Sequence, residues 1–348
     1  MRRSVLRGRE AERIPLNSTK NRLKSRIAEL PGARSTRDEF EMLRGYVADW
    51  RRYRRFSGRA ALDEHSTCAR VVMDSHRIEK GLALSQPRPW FGREVLERLA
   101  ASVEELPDNR DSHVVHAKSM ALGAVDDYFD YFDAELGPAP EWADDVRKRF
   151  ALFLGLDARE GGIKQLSLPG GQLAAGFDEF VASRESVRSY TDDMVPLAEI
   201  EAAALLASTS PSVCNRQGSM CRIVPRGVEA DRILKHQNGN KGFGNEASHV
   251  LLVTHDLRTM LSPGERNQAY VDGGLYAMTL LYALHARGIG ACCLNWSATK
   301  SQDRGLRREI DLPEHELVIM MIAVGHPAED ARVTVSPLRS ERHRVGIR

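Results

Sequence analysis

Hydrophobic positions in the first half of the chain recur at helical spacing. Apolar residues three and four positions apart form stripes within residues 40–50, 71–82, 93–106 and 114–136. This period places them on one face of an α-helix. The first stripe consists of Phe40, Leu43, Val47 and Trp50. Turn-forming residues separate the stripes. The pattern predicts an all-α region over residues 35–168, to which the sequence assigns no role.

The pattern changes in the second half, where short apolar runs alternate with helical segments. The runs at 221–225, 249–254, 291–295 and 317–324 are bounded by Gly, Pro or polar residues. The first, second and fourth are continuous rather than alternating, which predicts buried strands. Helices are expected before the first run, at 196–207, and between the second and third runs, at 273–287, the latter ending at Gly288. Strands and helices mixed over this length predict one layered α+β domain, residues 169–348.

Composition and charge are those of an ordinary globular protein. Hydrophobic residues make up 42% and charged residues 28% of the 348, and the formal net charge of +2 implies no general attraction to nucleic acid. Residues 1–34 differ, because they are basic and poor in apolar side chains, which predicts a disordered arm. Such an arm is either a solvated tail or a contact for RNA, an acidic lipid surface or an acidic partner.

The sequence indicates a protein of the cytoplasm. No apolar stretch is long enough to span a bilayer, and no signal-peptide apolar core follows Met1. The five cysteines lack the C-x-x-C spacing of zinc or thioredoxin-type sites, so reduced thiols are expected. The five are Cys68, Cys214, Cys221, Cys292 and Cys293.

Several common catalytic motifs are absent from the chain. It has neither the dinucleotide-binding G-x-G-x-x-G between a strand and a helix, nor a P-loop, nor the G-x-S-x-G of serine hydrolases. His236, His249 and His255 match no zinc spacing, so no metal is expected. His76, Glu79 and Lys80 form either a polar site or the solvated face of a helix.

Two polar segments in the second half have functional chemistry. Residues 183–190 contain Arg184 and Arg188, which share a face if the segment is helical. Guanidinium groups suit a phosphate because they combine charge with forked donors. Further on, the loop 210–217 offers amide groups to the edge of a heterocycle. Either segment alone is also typical of a solvated turn or loop.

Taken together and in order, these segments resemble the nitroreductase family over about residues 178–345. The matching segments are Arg184-x-Ser186-x-Arg188 with Tyr190, Pro211-Ser212-x-x-Asn215-x-Gln217, Gly239-Asn240, 247–253, Asp272-Gly273-Gly274, 288–290, Leu312-Pro313 and 324–327. Two positions depart from the family pattern. Glu185 replaces a residue that is often basic or aromatic, and Gly218-Ser219 stands where Pro-Trp usually follows the glutamine, which puts substrate preference in doubt.

The resemblance implies a three-layer α/β/α domain with a mixed, mainly antiparallel sheet, preceded here by the all-α region. It also implies an FMN site. Arg184, Ser186 and Arg339 would hold the phosphate, and Arg188 and Asn240 would reach the pyrimidine edge. A second subunit would contribute Pro211, Ser212 and Asn215, which makes the protein a homodimer. One side of the flavin ring would be lined by Cys293, Leu294, Asn295 and Trp296, although Trp296 is equally well explained as a core aromatic.

The implied activity is that of a flavin oxidoreductase. Hydride would pass from NADH or NADPH through FMN to a small oxidised acceptor, such as a nitroaromatic or a quinone, by a ping-pong mechanism and without a catalytic side chain. An alternative keeps the fold without turnover. In that case the domain is an FMN-binding protein or a degenerate dimerisation scaffold, and the helical region binds a partner.

Overall fold

The computed structural model describes residues 33–58, 63–84, 86–108, 111–136, 138–151, 160–164 and 176–334. The predicted basic arm up to residue 32, the predicted boundary between residues 168 and 169, and Arg339 all lie outside these ranges. The chain divides into two compact units, residues 1–51 and 52–348. The predicted division at residues 34 and 168 stays a prediction.

The first half is helical, as its apolar periodicity predicts. Its helices are α1 (Ala33–Phe56), α2 (Glu64–Leu82), α3 (Arg93–Glu105), α4 (Ser112–Leu136) and α5 (Glu141–Ala151). Helix α2 begins at Asp63, whose side chain accepts a hydrogen bond of 2.8 Å from the backbone N–H of Ser66. This interaction satisfies one of the amides that the first turn of a helix leaves without a partner.

The stripes on α2, α3 and α4 meet in one apolar core. Tyr128 and Phe132 of α4 are among its largest fully buried side chains, and Ile78 of α2 is 1% exposed. The stripe on α1 differs: Phe40 is 58% and Leu43 59% exposed. Helical spacing shows which residues share a face, but it does not show whether another surface covers that face.

The second half contains a four-stranded antiparallel sheet flanked by helices. The strands are β1 (Ser219–Pro225), β2 (His249–Asp256), β3 (Gly290–Asn295) and β4 (Glu316–Gly325), in the order β1-β2-β4-β3. The helices are α6 (Phe177–Ser183), α7 (Leu197–Ala207), α8 (Val228–Leu234), α9 (Gln268–His285) and α10 (Lys300–Glu309). All four predicted strands and both predicted helices are therefore present, with ends shifted by a few residues.

Burial across the sheet follows strand position. The central strands β2 and β4 are buried along most of their length. Strand β1 was predicted to be buried, and this is wrong, because most of its residues are half-buried or exposed. Strand β1 lies at the sheet edge, and its run is interrupted by the charged Arg222.

Helices cover both faces of the sheet. One core contains α7 and α9 with Leu251, Ile322 and Val324, and the other contains α8 and α10 with Leu252, Ala323 and further sheet residues. An isolated parallel bridge joins Ser186 to Ala291, next to β3. The fold class is thus confirmed: a three-layer α/β/α domain whose mixed pairing is mainly antiparallel.

The helical region packs directly onto this domain. Helix α2 contacts two 3₁₀ turns, Val213–Asn215 and Leu257–Thr259. A carboxylate oxygen of Glu79 on α2 accepts a hydrogen bond of 2.9 Å from the backbone N–H of Gly162, in the described part of the connection between the two halves. The loop predicted to serve the cofactor therefore rests on the helical region.

Candidate functional site

The segment with the two arginines is extended, not helical. The backbone N–H of Val187 donates to the carbonyl of Ala291 at 3.1 Å, and Ser186 forms the parallel bridge. The helical premise is therefore wrong, because this segment pairs alongside β3. Side chains two residues apart share one face of an extended chain. Arg184, Ser186 and Arg188 consequently still lie on a common face.

Close packing explains why this segment lies along the sheet. The hydroxyl of Tyr190 donates to the carbonyl of Val187 at 2.7 Å and to that of Ala323 at 3.1 Å. A Cβ atom at Gly290 would lie 2.9 Å from a methyl carbon of Val187, so only glycine permits this approach. Tyr190 and Gly290 thereby fix the position of the arginines relative to β3.

Neither of the two guanidinium groups has an acidic partner among the described residues. Arg188 donates to the Ser186 carbonyl at 3.2 Å and also interacts with the thiol of Cys292. Both arginines act on Cys292: burial raises the pKa of this thiol, while the positive charges of Arg188 and Arg184 oppose the rise. Two uncompensated cations beside one strand can bind an anion.

Strand β3 presents alternate residues to this region. Cys293 and Asn295 are exposed, whereas Cys292 and Leu294 point into the core. Leu294 is 2% exposed, so only its backbone could meet a ligand. Trp296 is half-buried and packs at the margin of the same core, which leaves both interpretations of this residue open.

Asn240 lies near the end of β3 and has a structural role. Its amide nitrogen donates to the carbonyls of Leu234 and Gln237, both at 2.8 Å. The Gln237 side chain in turn donates to the carbonyl of Asn295 at 3.0 Å. This loop is therefore tied to β3, and the side-chain oxygen of Asn240 is the atom that could accept a bond from a ligand.

The other predicted loop, residues 211–217, has a strained backbone. Cys214, Asn215 and Gln217 have φ values of 50°, 52° and 49°, in the left-handed region that non-glycine residues rarely adopt. The Ser212 hydroxyl accepts a hydrogen bond from the Gln217 N–H at 3.0 Å, and buried Asp272 accepts one from the Val213 N–H at 3.0 Å. Such strain persists only where the surroundings hold it, and it is concentrated at functional sites.

Arg216 anchors this loop, although the sequence did not single it out. Its side chain is 1% exposed and pairs with Glu265 at 2.8 and 3.1 Å. It also donates to the carbonyls of Val213 and Thr259. Burial alone would raise the pKa of Glu265, but the hydrogen bonds from Arg216 and from the Leu261 N–H lower it. The sequence shows that the loop contains an arginine, but it does not show that this arginine pairs with Glu265, 49 positions away.

Gly218 is required by close approach. A Cβ atom there would lie 2.5 Å from the hydroxyl oxygen of Thr259 and 2.6 Å from Nε2 of His255. His255 is fully buried, and burial lowers its pKa to about 4. Glycine at position 218 therefore lets the loop pack against Thr259 and His255.

The predicted site residues form two groups at opposite edges of the sheet. Loop 211–217 leads into the edge strand β1, whereas the residues around Arg184 and Arg188 accompany β3 at the other edge. The second group also contains Ser186, Asn240, Cys293, Asn295 and Trp296. The sheet therefore keeps the two groups apart within one chain.

Exposed apolar side chains cluster next to loop 211–217. Leu205 of α7 is 73% exposed, and Val271 and Leu275 of α9 are 52% and 43% exposed. The Ser210 hydroxyl, which precedes the loop, donates to the Leu275 carbonyl at 3.4 Å. Helices α7 and α9 pack side by side, so these side chains belong to one region of the surface. Apolar patches of this kind mark interaction surfaces.

No group of three or more His, Cys, Asp or Glu side chains among the described residues could hold a metal ion. None of the described helices has the length and apolar character needed to cross a membrane.

Comparison with known proteins gives a family match in the second half. The nitroreductase family model matches residues 181–237 and 222–326. The chain is similar to an iodotyrosine deiodinase of Haliscomenobacter hydrossis, with 26% identity over 46% of this chain and 83% of that protein. It is also similar to an FMN reductase (NADPH) of Bacillus subtilis, with 25% identity over 43% of this chain and 65% of that protein.

Solved structures match the same half. An FMN-dependent nitroreductase of Clostridium difficile aligns with 17% identity and a TM-score of 0.42, covering 48% of this chain and 96% of that one. A nitroreductase family protein of Streptococcus pneumoniae aligns with 19% identity and a TM-score of 0.42, covering 49% of this chain and all of that one.

Proposed function

The C-terminal half of the chain belongs to the nitroreductase family, and on that premise we propose that the protein is an FMN-dependent oxidoreductase. It passes hydride from NADH or NADPH through the flavin to a small oxidised acceptor, such as a nitroaromatic or a quinone. The observation that carries the proposal is the pair of uncompensated guanidinium groups, Arg184 and Arg188, fixed beside the exposed residues of β3.

These residues fit FMN. Its phosphate is a dianion, which suits Arg184 with the neighbouring Ser186 hydroxyl. The pyrimidine end of the ring becomes negative on reduction, and Arg188 supplies positive charge there. Asn240, whose amide hydrogens are used within its own loop, offers a carbonyl oxygen to a ring N–H. The exposed side of β3, with Cys293, would lie along the ring.

When bound, FMN would supply the redox chemistry that links the nicotinamide to the acceptor. The protein residues bind and orient. Rigid pairing of residues 184–190 with the sheet fixes the cations, so that their positions need no rearrangement during turnover. Donor and acceptor occupy the same space in turn, which corresponds to a ping-pong mechanism.

The active unit is a homodimer. Loop 211–217 lies at the sheet edge opposite the arginines, so within one chain it is far from the proposed FMN site. A second copy that packs through the exposed apolar surface of α7 and α9 would bring Pro211, Ser212 and Asn215 to the flavin of its neighbour. The strain of this loop, held by Arg216 and Asp272, is what a fixed contact with a ligand requires.

Flavin binding is tested by titrating the full chain with FMN and following the quenching of flavin fluorescence. We expect Arg184→Ala to weaken binding by about tenfold or more, since a charge-assisted hydrogen bond to phosphate contributes about 1.5–3 kcal/mol. Cys293→Ala serves as the matched control on the other side of the site and should change affinity little. The reverse order would show that the phosphate assignment is wrong.

The alternative is an FMN-binding or scaffold protein without turnover. Steady-state rates with NADPH and 1,4-benzoquinone distinguish the two. Parallel double-reciprocal lines support the ping-pong oxidoreductase. FMN that stays bound without any nicotinamide oxidation would favour a non-turnover role, and failure to bind FMN would favour the scaffold.

A further inference from the structure

A cavity of about 320 Å³ lies where the helical region covers one end of the sheet. Its walls come from α2, α4, the start of β1, the end of β2 and the start of β4. Ligand sites for small molecules commonly have volumes of about 300–1,000 Å³. This junction cavity therefore has room for one small organic molecule, at the edge of the domain opposite Arg184 and Arg188.

Imidazoles from three parts of the chain line the junction cavity. His65 lies on α2, His113 and His116 lie on α4, and His315 precedes β4. The rings of His65 and His113 have centroids 5.1 Å apart. Positions 113 and 116 share a helix face. Histidines this far apart in sequence are brought to one space only by the packing of the helices on the sheet.

The carboxylates in the cavity wall are already bound to arginines. Asp256 pairs with Arg258 at 2.7 Å. Glu316, which is 4% exposed, accepts a hydrogen bond of 3.0 Å from Arg222. Their negative charge is therefore largely compensated within the protein, and they leave the imidazoles as the groups that can bind a ligand.

Among the described residues, most of these imidazole rings have no acidic hydrogen-bond partner. Nδ1 of His116 lies 3.0 Å from Glu160. The backbone N–H of His113 donates to Asp111 at 2.9 Å, but across the described ranges the rings of His65, His113 and His315 form no hydrogen bond to a carboxylate. Among the described residues, no three His, Cys, Asp or Glu side chains are grouped so that they could coordinate a metal ion. An imidazole N–H, or an imidazolium, can instead bind an anion.

The remaining wall is apolar and is formed mainly by α2. Cys68 and Val72 are 6% and 5% exposed and face the cavity together with Ala69. Buried Arg216, which anchors the strained loop, lines the opposite side. We propose that the junction cavity binds a small organic anion, with its apolar body against α2 and its carboxylate or phosphate on the imidazoles.

This site would act on the flavin site through loop 211–217. Arg216, Gln217 and Gly218 line the cavity and continue directly from Asn215, so a bound anion would lie behind the loop. The proposal does not rest on the oxidoreductase function, because none of Arg184, Ser186 or Arg188 lines the cavity. The helical region would thereby have a role as one wall of an effector or second-substrate site.

Isothermal titration calorimetry on the full chain, with FMN in excess so that the flavin site is filled, tests the proposal. The probes are benzoate and phenyl phosphate. His65→Ala and His113→Ala should each weaken binding about tenfold, the loss expected for one charge-assisted hydrogen bond. His76→Ala is the matched control, because His76 lies on α2 but is hydrogen-bonded to Glu79 and does not line the cavity.

The two probes distinguish a carboxylate ligand from a phosphate ester. Binding of benzoate alone identifies a carboxylate ligand, and binding of phenyl phosphate alone identifies a phosphate ester. Either result supports the proposal if the affinity falls in both cavity variants. Absence of binding by both probes, or equal affinity in the wild type and the cavity variants, would overturn it. His113 is exposed, so its variant is expected to fold and keeps the test interpretable.

Discussion

Arg216 holds the strained loop 211–217. Variants at this position should show whether the loop geometry affects FMN affinity independently of the stability of the whole domain. The side chain is 1% exposed and makes hydrogen bonds to Glu265 and to the carbonyls of Val213 and Thr259. In Arg216→Ala, the Glu265 carboxylate loses its cation. Breaking a buried pair on one side costs about 3–5 kcal/mol, a large share of the roughly 5–15 kcal/mol that stabilises a typical domain.

The double variant Arg216→Met/Glu265→Met removes both charges at similar volume. Such replacements are often close to neutral for stability. The loop nevertheless loses its hydrogen bonds to the carbonyls of Val213 and Thr259. The backbone N–H of Leu261 also loses its acceptor on Glu265. We therefore expect the urea midpoint of the double variant to lie between those of Arg216→Ala and the wild type, while its affinity for FMN falls about tenfold, which corresponds to about 1.4 kcal/mol.

Urea denaturation followed by circular dichroism, together with FMN titration of each variant, provides the assay. Arg98→Ala is the control, because it breaks the pair with fully buried Asp74 in the helical region. This control should lose stability but keep its FMN affinity when measured well below its unfolding midpoint. If the double variant binds FMN as tightly as the wild type, then Arg216 does not position the loop.

Three further predictions concern other residues. Burial lowers the pKa of His255 to about 4 from an unfolded value of 6.5. Its contribution to stability should therefore be present above about pH 6.5 and be lost as the pH falls towards about 4. Over this pH range, the urea midpoint of the wild type should drop more steeply than that of His255→Gln. Gly218→Ala should destabilise the protein by about 1–3 kcal/mol and lower its melting temperature, because the added Cβ would meet Thr259 and His255. An unchanged melting temperature would contradict this close approach. Leu205→Glu, at a side chain 73% exposed, should leave the protomer folded but convert the dimer to a monomer in analytical ultracentrifugation, whereas a stable dimer would exclude this face as the interface.

The secondary structure of the domain was accessible from the sequence because each element has a strong local signal. Residues 250–253 of β2 and 317–324 of β4 are continuous apolar runs, and the helix before Gly288 ends where a glycine with φ of 68° permits a left-handed turn. Position in the sheet was not accessible. Strand β1 lies at an edge, and strand order depends on contacts between distant segments; the only local sign of its partial exposure is Arg222 within the run.

The candidate site was predictable only in part, for a related reason. Short motifs with family-specific spacing point to Arg184, Ser186 and Arg188. The segment that contains them is extended rather than helical, and it still keeps the three side chains on one face. Arg216 was missed because its buried partner lies far away in the sequence. The burial of Leu294 and the internal hydrogen bonds of Asn240 likewise depend on packing that no single segment reveals.

The most direct measurement of the central claim is the visible spectrum of the purified, desalted protein before and after anaerobic addition of NADH and then NADPH. Our account predicts a yellow protein with the absorption of bound FMN, which bleaches on addition of at least one of the two nucleotides. A colourless protein that takes up no added FMN would contradict flavin binding. A yellow protein that neither nucleotide bleaches would contradict the oxidoreductase.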